Sequence, residues 1–110
     1  MVISALREEA KLENPELLKS YMRRGYWSVR PLADEVDFRL RRSYKKRLRL
    51  NPTAPEGCKK STIGNLRSGY RSTVHPDTAQ AICEVFGIPV EGLFLVTNSN
   101  VQREVGASVR

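Results

Sequence analysis

The order of hydrophobic and polar residues divides the chain into short, mostly helical units. Ile3, Leu6, Ala10 and Leu12 fall near helical spacing with Glu8 and Glu9 between them, which predicts an amphipathic helix or a tail over residues 1–13. Asn14-Pro15-Glu16 is a helix start, with Asn14 as N-cap and Pro15 in the first turn. That helix turns Leu17, Leu18 and Tyr21 inward, has Arg23 and Arg24 at its carboxyl end and stops at Gly25. Ser28 then caps a helix over 29–36 with Val29, Leu32, Ala33 and Val36 inward. Tyr26 and Trp27, between the two helices, are expected to pack. A further short helix follows Ser61 or Thr62, with Ile63 and Leu66 inward, Gly64 facing out and Gly69 as the stop. Residues 71–74 read as a loop. His75-Pro76-Asp77 opens a helix to about Phe86, with Ala79, Ile82, Cys83 and Phe86 inward, and Gly87 closes it. Pro89 to Phe94 makes one last helical turn. Residues 95–110 form a strand or a flexible end.

The segment 38–56 fits two pictures. Val36, Leu40, Tyr44 and Leu48 are spaced by four, so the preceding helix can continue; the alternation Phe38-Arg39-Leu40-Arg41 suits an extended arm equally well. From Asn51 to Gly57 the run Asn-Pro-Thr-Ala-Pro-Glu-Gly is a loop.

Charge sharpens this outline. The chain carries +7 over 110 residues, unevenly distributed. Between Lys19 and Arg71 there are 15 basic and 4 acidic residues, a net of +11; the rest has 4 basic and 8 acidic, a net of −4. Seven of the eleven residues from Arg39 to Arg49 are basic: Arg39, Arg41, Arg42, Lys45, Lys46, Arg47 and Arg49. Such density repels itself unless a polyanion or nearby carboxylates offset it. With 40% hydrophobic residues the chain is too apolar to be wholly disordered, and no apolar run approaches membrane-span length. A secretory signal pattern is absent, which points to the cytoplasm, where Cys58 and Cys83 are expected as free thiols. Two cysteines and one histidine, His75, fall short of a structural zinc site, and no nucleophile–base pair stands out, so neither a metal, a cofactor nor an enzymatic activity is expected. His75 is expected to cap a helix or decorate a loop.

Several of these pieces, in this order, resemble one family, the Cro/cI-type (XRE-type) helix-turn-helix repressor domain, and within it the small regulators of actinobacterial temperate phages. Leu17 to Gly25 is similar to its first helix. Ser28-Val29-Arg30-Pro31-Leu32-Ala33-Asp34-Glu35-Val36 is similar to its second, with the Leu-Ala pair. Lys60 to Gly69, with Ile-x-x-Leu-x-x-Gly, is similar to its recognition helix, and Asp77 to Phe94, with Phe-Gly-Ile, to its last two helices. The resemblance implies an all-α fold: a five-helix bundle over 14–94 with a basic insertion (38–56) between the two motif helices, plus a short C-terminal strand or flexible tail (95–110) as a dimerisation element. The family joins its motif helices with about four residues, so the insertion is a departure that puts their mutual angle in doubt.

The resemblance implies a sequence-specific regulator of transcription on double-stranded DNA, a homodimer on a palindromic operator. An excisionase-like accessory recombination factor that bends DNA is the alternative, and a basic protein-binding module a third. The amino end of a recognition helix enters the major groove, which makes Lys60, Ser61 and Asn65 the base-reading candidates; Lys can reach guanine O6 and N7, and Asn can pair bidentately with adenine. Ser28, Arg30, Lys59, Arg67, Ser68, Tyr70 and Arg71 are the phosphate-binding candidates. The basic insertion would add affinity without sequence information.

Overall fold

The computed structural model describes residues 6–100, which form four α-helices and a three-stranded antiparallel sheet. In chain order these are β1 (Leu6–Leu12), α1 (Pro15–Arg24), α2 (Val29–Leu50), α3 (Lys60–Ser68), β2 (Thr73–Val74), α4 (Pro76–Phe86), a 3-10 turn (Val90–Gly92) and β3 (Phe94–Asn100).

The fold is therefore not an all-α five-helix bundle. Two segments account for the difference. The first is 6–12, expected as helix or tail, which is a strand: Ala10 and Leu12 are buried while Lys11 between them is exposed, the period of two that a half-buried strand requires. Its seven residues pair in unbroken antiparallel register with β3, from Leu6 opposite Asn100 to Leu12 opposite Phe94. The second is 89–94, where the expected fifth helix is a three-residue 3-10 turn that leads straight into β3. The 71–74 loop also contributes: Thr73 and Val74 add a third strand against Lys11 and Ala10, giving the order β2-β1-β3. Ile3, Val101 and Val105 lie outside the described residues.

The core lies between this sheet and the helices. Leu18 and Met22 of α1, Leu32, Ala33, Val36 and Leu40 of α2, Ile63 and Leu66 of α3, and Ala79, Ile82 and Cys83 of α4 close over Ala10, Leu12 and Phe94. The capping chemistry is local and legible. Asn14 Oδ1 accepts from the Glu16 amide at 3.0 Å, and His75 Nδ1 from the Asp77 amide at 3.0 Å. Gly69 and Gly87 close α3 and α4 in the left-handed region, φ 84° and 73°. Between α1 and α2 the left-handed residue is Tyr26, φ 58°, rather than a glycine. Its side chain is 95% exposed and so does not pack, whereas Trp27 does. Gly25 is needed there for another reason: a Cβ would lie 2.6 Å from the Trp27 ring.

The 38–56 segment takes the helical option. α2 runs unbroken for 22 residues to Leu50, where Asn51 Oδ1 accepts from the Thr53 amide and hydroxyl at 3.0 and 2.8 Å and turns the chain. The extension lies along α4 and is joined to it by two ion pairs, Arg39–Glu84 at 3.7 Å and Arg47–Asp77 at 2.9 Å. The spacing of these pairs, rising along α2 and falling along α4, sets the two helices antiparallel. Arg47 is also held by Ser43 Oγ at 2.8 Å and by the Leu40 carbonyl. α2 carries eleven charged residues, and among the described residues no helix is long and apolar enough to cross a membrane.

Candidate nucleic-acid interface

α3 is positioned by its buried side, Ile63 and Leu66, and by a contact with the first turn of α2. Gly64 borders that contact and is half-buried, on the side of α3 away from Ile63 and Leu66: a Cβ there would lie 3.9 Å from Val29 Cγ1, an ordinary van der Waals distance. Ser28 and Arg30, both exposed, flank Val29 in sequence, so the start of α2 meets the middle of α3. The Ser28 hydroxyl makes no capping bond.

A second joint fixes the amino end of α3. The loop after α2 folds back along it, and Asp37 binds both sides of the return. Asp37 Oδ1 accepts from the Cys58 amide at 2.8 Å and Oδ2 from Arg41 Nε at 2.9 Å, while Arg41 also reaches Glu56 at 3.4 Å. The hydrogen bond from Arg41 holds the Asp37 carboxyl below its ordinary value, against a smaller opposing effect of burial and with help from the Cys58 amide. A Cβ on residue 57 would land inside contact distance of Asp37 Oδ1 and 2.8 Å from Arg41 Nη2, so a larger residue here must displace that side-chain pair. Cys58 follows it, free, its thiol pushed up to about 11 by burial and then by the Asp37 charge. Cys83, also free, is pushed up to about 12, mainly by burial. Both thiols are therefore protonated and poorly nucleophilic near neutrality.

The exposed side of α3 gathers the expected residues unevenly. Lys59, Lys60, Ser61, Arg67, Ser68, Tyr70 and Arg71 are exposed and Asn65 is half-buried. Ser61 and Asn65 share one wall of an open cleft of about 400 Å³ whose other walls are Pro55 and Gly57, Arg71 with Thr73–His75, and Thr78 of α4. Lys60 lies outside that cleft. Ser68 is partly committed to closing the helix: its hydroxyl donates to the Asn65 carbonyl and accepts from the Tyr70 amide, both at 3.2 Å. From Cys58 to Pro76 the chain contains four basic residues and no acidic one.

The basic residues of 38–56 fall into two groups. Arg39, Arg41 and Arg47 are bound to carboxylates, Arg39 also to Glu35 at 3.0 Å, whereas Arg42, Lys45, Lys46 and Arg49 are exposed without a carboxylate partner among the described residues. Sequence reasoning missed the acidic halves of these pairs, Glu35, Asp37, Glu56, Asp77 and Glu84. Two of them carried a readable signal: Glu35 and Asp37 precede Arg39 and Arg41 by four, the spacing of helical ion pairs. The others depend on contacts distant in sequence. Comparison of the chain with protein-family models, with curated proteins and with solved structures finds no match.

Proposed function

We propose that this protein is a sequence-specific double-stranded DNA-binding regulator of transcription, of the Cro/repressor type, acting in the bacterial cytoplasm on a palindromic operator. The observation that carries the reading is the exposed side of α3. It presents the exposed Lys60 and Ser61 and the half-buried Asn65, flanked by Lys59, Arg67 and Arg71, in a stretch without a carboxylate, on a helix whose position is fixed from two sides. Such a surface suits an electronegative groove: amide, hydroxyl and ammonium groups for base edges, guanidinium groups for phosphates. The exposed Ser28 hydroxyl and Arg30, at the start of α2, add phosphate ligands beside it.

A second copy of the chain completes the reading, since a palindrome requires a twofold protein. Its pairing element is β3. That strand is at the sheet edge among the described residues, has no charged residue or proline, and exposes Leu95 and Val96.

Selecting bound duplexes from a random pool tests the reading, and a palindromic consensus is expected. On the selected duplex Asn65→Ala should cost about 1–3 kcal/mol, with little change on random DNA. Equal losses on both duplexes would remove Asn65 from base reading; a pool with no enriched sequence would remove the reading itself.

A further inference from the structure

We propose that the distal half of α2 presents a rigid cationic stripe, Arg42, Lys45, Lys46 and Arg49, that grips the phosphate backbone of duplex DNA. The proposal rests on the DNA-binding reading of α3 and adds a separate surface to it. From Phe38 to Leu50 the helix has seven basic residues and no acidic one. Its ion pairs sort them by direction. Arg39 and Arg47 turn toward α4 and end on Glu84 and Asp77, and Arg41 turns toward the returning loop and ends on Asp37 and Glu56. At about 100° per residue, the other four and Phe38 fall within an arc of about 100° on the side away from the buried Val36 and Leu40. Phe38 is 55% exposed and lies under the Arg42 guanidinium, 5.2 Å from ring centre to Cζ, which restrains the first cation of the row.

The stripe is built rather than loose. The helix that bears it is stapled to α4, so its four charges are held close together despite their mutual repulsion. Arg42 and Arg49 stand about 10 Å apart along the axis, at about 1.5 Å per residue. That distance covers about three nucleotide steps of a duplex strand. A bilayer surface is the poorer partner. A helix lying on lipid must bury one apolar side in the membrane; in α2 Leu32, Val36 and Leu40 are already in the protein core, and the exposed Phe38, Leu48 and Leu50, at about 100° per residue, point in three different directions and make no apolar face.

The test is the salt dependence of binding for wild type and for the variant Arg42→Gln/Lys45→Gln/Lys46→Gln/Arg49→Gln, on the selected duplex and on a random one. Thermal unfolding of both proteins checks that the fold is intact. Removing the stripe should flatten the slope of log K against log salt by about 2–4 on both duplexes, and the preference for the selected one should stay. An unchanged slope in a folded variant that still binds the selected duplex overturns the stripe and leaves the role of α3 standing. Wild type that binds neither duplex overturns the α3 reading, and the stripe's DNA role with it. Vesicles of phosphatidylserine and phosphatidylcholine form the last arm: lipid binding that the variant loses, with its DNA slope unchanged, assigns the stripe to membranes instead.

Discussion

Asp37 and Gly57 hold the joint on which α3 depends. The carboxylate of one caps the loop amide and pairs with Arg41, and the other leaves the space in which that happens. Gly57→Ala should destabilise the protein by about 1–3 kcal/mol, read by urea unfolding, because backbone or the Asp37–Arg41 pair must move. Asp37 gives a pH signature with a definite sign. Its folded value lies below the ordinary 3.8, so its contribution is fully present above 3.8 and is lost as pH falls through the lower folded value. Asp37→Asn should therefore cost about 1–2 kcal/mol at neutral pH, and the gap to wild type should close as unfolding is measured at pH values progressively below 3.8. In the sequence the two residues mark only the flanks of 38–56, Asp37 just past the expected 29–36 helix and Gly57 at the end of a Pro/Gly loop, because the contact joining them exists only once the loop folds back.

At the scale of elements, the outcome turned on partners. Val36, Leu40, Tyr44 and Leu48 carried the helical option for 38–50 in their spacing, yet the same stretch alternated well enough for an arm. The contacts with α4 decided it. Arg47 is the centre of that decision: it is bonded to Asp77, Ser43 and the Leu40 carbonyl, and its guanidinium is 5.9 Å from the Tyr44 ring centre. Arg47→Ala should cost about 1–3 kcal/mol of stability. Hydrogen exchange of the amides over 44–50 should accelerate more than that of α1, which checks that the loss is local to the extension. β1 shows the opposite error. Leu6, Ala10 and Leu12 satisfy a helical spacing and a strand spacing at once, and seven residues are too few for periodicity to choose. Pairing with β3 chose the strand.

Over the whole molecule, the sheet ties residues 6–12 to 94–100, so the two flanks of the helical unit meet in one structure. It also leaves β3 at an edge, and the dimer reading makes a prediction at this scale. Sedimentation of wild type should show a dimer that grows with protein concentration. Val96→Lys, which places a charge on the exposed strand, should shift it toward monomer without lowering the unfolding temperature, since Val96 is half-exposed. A wild type that stays monomeric at every concentration, on and off DNA, would remove β3 as the pairing element.

By itself the sequence determined what depends on near neighbours. The caps at Asn14 and His75, the stops at Gly69 and Gly87, the inward faces of α1, α3 and α4, and the concentration of positive charge in the middle of the chain all follow from residues within a few positions of one another. Tertiary structure decided what depends on distant partners: that 6–12 is a strand, that 38–50 is helix, that Gly64 meets Val29, and which cations of the dense cluster are free. The physical reason is the same each time. Local hydrogen bonds and sterics act over three or four residues, whereas strand pairing and ion pairing are settled by groups such as Asp77 and Glu84, 30 or more positions from the arginine they bind or brought to it only by folding.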